Sequence, residues 1–174
     1  MTNRSKFLWI GVLWLVMIGG FILTKQFTLL TGTEVLLKTV PVDQRDLFRG
    51  DYVILRYAIS TIQLNSVQTD TPGGAPGFGR GQKVFVALKT ENGYGIVSGV
   101  FSQNPPGGLY LKGIIRDVRP DQIWVEYGIE SYFVPEGKGK DIETRREGLS
   151  VKAAIDRSGN AIIKSLWRDG KEIK

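Results

Sequence analysis

The chain holds no cysteine and no histidine in 174 residues. The first absence excludes disulfides, thiolate nucleophiles, iron–sulfur clusters and zinc–cysteine sites, so any folded part must be held by its own core. The second removes the commonest general base and the commonest metal ligand. Chemistry would have to come from Asp, Glu, Tyr, Lys or Ser alone. That short menu argues against an enzyme, and no metal or cofactor is expected. Acidic residues are missing from the first stretch, since none precedes Glu34. The formal net charge is +6, and Arg4, Lys6 and Lys25 carry half of it around one apolar run. What remains is too weak a basic excess for a nucleic-acid binder, which usually shows a basic stripe.

That apolar run is "FLWIGVLWLVMIGGFIL", Phe7 to Leu23, without a charged or strongly polar side chain. A spanning helix needs roughly 20 apolar residues, with about 17 as the lower limit. Trp9 lies near one end, where an interfacial aromatic belt would sit. A cleaved signal peptide would have a shorter apolar region and a small-x-small site, whereas "TKQFTLL" follows here. A buried core helix would show a polar face. The run therefore reads as an uncleaved anchor in the lipid bilayer. Arg4 and Lys6 precede it and Lys25 follows, so the positive-inside rule favours a cytoplasmic N-terminus and an extracytoplasmic remainder. The expected organisation is a cytoplasmic stub and anchor over residues 1–30, then a β-domain over 31–174.

From Glu34 onward, strand-like text alternates with Gly and Pro. "EVLLKTVPV" (34–42), "YVILRYAISTIQL" (52–64), "KVFVALK" (83–89), "GIVSGVFS" (95–102), "LYLKGIIRDV" (109–118) and "QIWVEYG" (122–128) are rich in β-branched and aromatic residues. "LSVKAAID" and "AIIKSLW" flank "RSGN" and read as a hairpin; "NGYG" and "PPGG" are turn chemistry. "TDTPGGAPGFGRGQ" (69–82) reads as a loop, and its "GFGRG" is no dinucleotide fingerprint because the strand–loop–helix context is missing. "KGKDIETRRE" (138–147) reads as a short solvated helix, with Arg145 and Arg146 on an exposed face. No internal repeat is expected. The pattern implies a mainly β fold, a small antiparallel barrel or sandwich behind a single transmembrane helix.

The most individual stretch is "LFRGDYVILRY", 47–57. Gly50 tolerates positive φ and Asp51 can close a turn onto a backbone N–H. With strand alternation, Val53, Leu55 and Tyr57 share one face, and Tyr52, Ile54 and Arg56 the other. Leu55 and Tyr57 are expected in the core. Upstream, Asp43, Arg45, Asp46, Arg49 and Asp51 alternate in charge, which suits an ion-pair lattice or a charged site. "GDYVILRY" resembles the signature of the GDYXXLXY family of bacterial membrane proteins at all five fixed letters, Gly50, Asp51, Tyr52, Leu55 and Tyr57. "YGIESYFVPEGKGKDIE" (127–143) is similar to that family's second block. The resemblance implies no assigned catalytic residue, and implies a neighbourhood of multi-spanning membrane proteins.

Asp51, Tyr52, Tyr57, Tyr127, Glu130, Tyr132 and Glu136 form the candidate site. Converging carboxylates and phenols would suit acid–base work or a hard cation. The plainer reading makes the tyrosines core and pairs the carboxylates with Arg45, Arg49 or Arg56. Either way the Gly50–Tyr52 turn and the 128–137 block are expected to be neighbours. The leading functional reading is a membrane-anchored β-domain that binds a protein partner such as a multi-spanning membrane protein. A membrane-bound hydrolase is the alternative, since "LFRGDYVIL" loosely resembles a turn of type I signal peptidases. No serine lies between Leu23 and Ser60, so the expected nucleophile is missing. A receptor for carbohydrate or another small ligand is the third reading.

Overall fold

The computed structural model describes residues 3–41, 52–70, 77–105, 107–133 and 148–173. A helix, α1, runs from Asn3 to Thr31. It is long and apolar enough to cross a membrane, and its apolar side chains from Phe7 to Leu23 face outward. The first strand, β1 (Thr33–Val40), follows after Gly32 alone. The N–H of Gly32 donates to the Thr28 carbonyl at 2.9 Å. A Cβ at position 32 would lie 2.5 Å from that carbonyl oxygen and 3.1 Å from the Ala154 Cβ, so only glycine lets the chain turn from helix to strand in this space.

Then come β2 (Tyr52–Ile54), β3 (Arg56–Tyr57), β4 (Thr61–Gln63), β5 (Gln68–Thr69), β6 (Lys83–Glu91) and β7 (Tyr94–Phe101). After these come β8 (Leu109–Val118), β9 (Gln122–Glu126), β10 (Ser131–Phe133), β11 (Leu149–Ile155), β12 (Ala161–Arg168) and β13 (Lys171–Ile173). The main sheet has the order β13-β12-β11-β1-β7-β6-β8-β9-β4, with β3 added to β1 and β5 to β7; β2 and β10 form a separate pair. The mainly β, sandwich-like architecture matches the expectation. The barrel does not: the sheet is not closed. Nor is it wholly antiparallel, because β7 runs parallel to both β1 and β5.

Most of the strands read from composition are present, and LYLKGIIRDV is β8 residue for residue. Asn92 and Gly93, at φ 50° and 84°, make the tight turn between β6 and β7, the primed geometry that matches strand twist. The 52–64 run is the exception. It is not one strand, because a 3-10 turn at Ala58–Ser60 separates β3 from β4. The core is the shared interior of these strands. Leu37, Val86, Val100, Leu111, Ile115, Ile123, Val125 and Val151 are fully buried. Each such side chain contributes about 1.5–3 kcal/mol by leaving water.

A locked crossing at Tyr57, Tyr127 and Glu130

Val53, Leu55 and Tyr57 are buried at 1, 3 and 1% exposure, while Ile54 on the opposite face is 37% exposed. The alternation read from the motif therefore holds, and Leu55 and Tyr57 enter the core. Tyr57 donates its hydroxyl to the carbonyl of Ile129 at 2.5 Å. Tyr127 donates its hydroxyl to the carbonyl of Ile59 at 2.6 Å. Each tyrosine thus reaches the residue two past the other.

The reciprocity extends to the backbone. Strand β4 pairs β9 with Thr61 opposite Trp124 and Gln63 opposite Gln122. Strand β2 pairs β10 with Ile54 opposite Ser131 and Tyr52 opposite Phe133. Adding 70 to the β4 residues and subtracting 70 from the β9 residues turns the first pairing into the second. Residues 52–63 and 122–133 therefore meet as two copies across a two-fold would, each giving the other the same contacts. The expectation of no internal repeat is corrected here. "VILRYAI" and "IWVEYGI" repeat Tyr-x-Ile seventy residues apart behind matched buried positions, Val53 with Ile123 and Leu55 with Val125. The signal is faint because only buried letters match. The exposed ones diverge, Ile54 against Trp124 and Arg56 against Glu126.

Glu130 closes the second arm. Its two carboxylate oxygens accept the backbone N–H groups of Tyr127 at 2.6 Å and Gly128 at 2.8 Å, and its own carbonyl accepts the N–H of Leu55 at 2.7 Å. Burial pushes the Glu130 carboxyl above the usual range; these N–H donors oppose that and the Glu126 charge adds to it. Burial, reinforced by the Glu130 charge, also drives both phenols well above their ordinary value. They are donors held neutral. The Tyr127 ring needs Gly113 beneath it, where a Cβ would sit 2.2 Å from Val125 Cγ1 and 3.2 Å from Tyr127 Cδ1.

The candidate residues divide accordingly. Tyr57, Tyr127 and Glu130 come together, and each spends its polar atoms on backbone. Tyr52 opens β2 opposite Phe133, and Tyr132 lies half-buried opposite Val53 at the edge of the core. So Tyr52 neighbours the described part of the second block, 128–133; Gly50 and residues 134–137 lie outside the described residues. The Glu130 partners among the described residues are N–H groups, and Arg56 lies over the Trp124 ring instead, 5.5 Å from its centroid. Asp51, Glu136, Asp43, Arg45, Asp46, Arg49 and the 138–147 segment lie outside the described residues. No group of three or more Asp or Glu able to hold a metal ion occurs among the described residues.

A family profile described as "GDYXXLXY protein" matches residues 14–166. The chain belongs to the GDYXXLXY family. No curated protein and no solved structure gives a significant match to it. In this GDYXXLXY protein the Leu and the final Tyr of the signature are core residues, and that Tyr is one half of the lock.

Proposed function

We propose that this protein is a single-pass membrane protein whose β-domain stands outside the cytoplasm and binds a multi-spanning membrane protein. The observation that carries the reading is the joint between α1 and β1. A helix of 29 residues measures about 43 Å at 1.5 Å per residue, against a hydrocarbon core of about 30 Å. Its last turns therefore rise out of the hydrocarbon as a stalk. No flexible linker follows, and Thr28 on the stalk donates its hydroxyl to Asp156 at 3.4 Å. Such a domain keeps one height and one orientation over the bilayer. A tethered domain that had to search for soluble partners would be served better by a long polar linker. A fixed one suits a partner whose own surface is fixed in the same membrane. Arg4 and Lys6 before the span favour the cytoplasmic N-terminus.

Extraction in mild detergent, followed by cross-linking and mass spectrometry, tests this. A stoichiometric multi-spanning partner is expected, and it should be lost when a flexible ten-residue linker is inserted after Gly32. Recovery of the chain alone from native membranes refutes the reading. Protease added to intact spheroplasts should digest residues beyond Thr31; digestion only after lysis reverses the orientation.

A further inference from the structure

At the end of the sheet far from α1 lies an open cleft of about 530 Å³ that includes Arg56, Arg80, Arg116, Arg119, Asp117 and Trp124. The arginines come from four places. Arg56 stands on β3 with its guanidinium over Trp124. Arg116 is the extra residue of a β-bulge, since Ile115 pairs Val125 and Asp117 pairs Trp124; bulges re-aim side chains. It bonds Glu126. Arg119 holds Asp117 at 3.2 Å in the β8–β9 turn. Arg80 rides on a turn in which Gln82 donates its N–H to the Gly79 carbonyl at 3.1 Å. That turn is anchored by buried Phe78 and by Gly81, whose N–H donates to the Ile115 carbonyl at 2.7 Å. Arg80 has no hydrogen bond or ion pair among the described residues. Two carboxylates thus face four guanidinium groups, and Arg56 and Arg80 are left without a carboxylate among the described residues.

We infer that this cleft binds an acidic peptide segment of the protein partner, an inference that rests on the partner-binding reading. Three observations select that chemistry. The cleft breaks the two-fold likeness of 52–63 and 122–133: Trp124 stands where the other copy has Ile54, and Arg56 where it has Glu126. Buried positions keep the likeness because the fold needs them, whereas these less buried ones are free to differ. Planar guanidinium forks match carboxylates two bonds at a time, and a Trp 38% exposed beside them offers an apolar face to the peptide between its acids. The arginines are also spread across four elements, whereas a lone phosphate is usually held at one point by converging backbone N–H groups. Anionic lipid is too far away. Leu109 and Tyr110 line the groove beside α1, and Arg116 lies six residues further along the strand, about 20 Å at 3.3 Å per residue. Headgroup charge is screened within about 8–10 Å.

The test uses the full-length chain in detergent, titrated with a hexaglutamate peptide and followed by calorimetry. Saturable binding is expected, weakening at least about tenfold in the Arg56→Gln, Arg80→Gln double variant and also in Trp124→Leu. Lys112→Gln with Lys171→Gln removes the same charge elsewhere and should leave affinity within about twofold. Absence of peptide binding overturns the inference, as does binding that the Lys variant weakens as much as the Arg variant. So does inorganic phosphate binding with the same arginine dependence where the peptide fails, or arginine-dependent binding only to phosphatidylglycerol vesicles. Because the peptide test needs no membrane partner, its failure is separable from a failed co-purification.

Discussion

Replacing Tyr57 by Phe deletes one hydroxyl and leaves the Ile129 carbonyl without that donor in a dry interior; Tyr127→Phe does the same to Ile59. Neither change alters the packing volume appreciably. Removing one partner of a buried hydrogen bond costs about 1–3 kcal/mol, which for a domain of about 150 residues lowers the melting temperature by roughly 2–4 °C per kcal/mol. Because the two bonds are equivalent by the pairing of 52–63 with 122–133, the two losses should agree within about 0.5 kcal/mol. Both bonds tie the same pair of segments, so the double variant should be non-additive by at least about 0.5 kcal/mol. Urea denaturation of the four proteins in one detergent, followed by circular dichroism, supplies the cycle. Strict additivity, or one severe and one neutral substitution, refutes the idea of a reciprocal lock.

Alkali offers a second check. The two buried phenols keep their protons in the fold while unfolded tyrosine ionises near pH 10, so the folded state binds more protons there and stability falls as pH rises through that region. Ultraviolet titration should show Tyr57 and Tyr127 ionising only on unfolding. Glu130 has the same sign at lower pH, because its raised carboxyl takes a proton in the fold before the unfolded chain does. Its contribution should fall as pH climbs from the ordinary carboxylate value through the raised one, and Glu130→Ala should flatten that part of a melting-temperature profile. Gly32→Val should separate helix from domain without unfolding the sheet, read as new protease cleavage near residue 32 with an unchanged melt; uncut protein counts against the joint. Leu37→Ala should cost about 2–5 kcal/mol through lost burial and a cavity, and a loss under 1 kcal/mol would remove Leu37 from the core.

Local text was the most legible part. Strands whose composition is apolar and bounded by Gly or Pro, such as β6, β7, β8 and the β11–β12 hairpin, follow from residues that touch their neighbours in the chain. The helix is legible for the same reason. Sheet order is not, because β1 takes its partners from β11 and β7, far away in sequence. The short strands β5, β10 and β13 have two or three residues and owe their form to the partner strand. The candidate site was half legible. Tyr57, Tyr127 and Glu130 stood out by type, and Leu55 with Tyr57 by alternation. Their donation to backbone carbonyls could not be read, since any residue supplies a carbonyl. The arginine cleft was missed because its members, 56, 80, 116 and 119, form no cluster along the chain.

The strand attached directly to the anchor is the one that waits longest. β1 pairs β11 from Thr33 opposite Ile155 to Lys38 opposite Ser150, a separation of more than a hundred residues. At roughly 5–20 residues per second of synthesis, the interval between emergence of the two strands is about 6–24 seconds. Throughout it, β1 keeps the edge that β11 will take open, a template for the wrong strand. Completion of the chain draws the C-terminal hairpin back to the foot of the anchor, where Asp156 meets Thr28. Assembly is therefore a closing of last-made onto first-made at the foot of α1. A nascent chain halted before residue 149 leaves β1 without that partner, open to whatever holds or destroys unfinished chains.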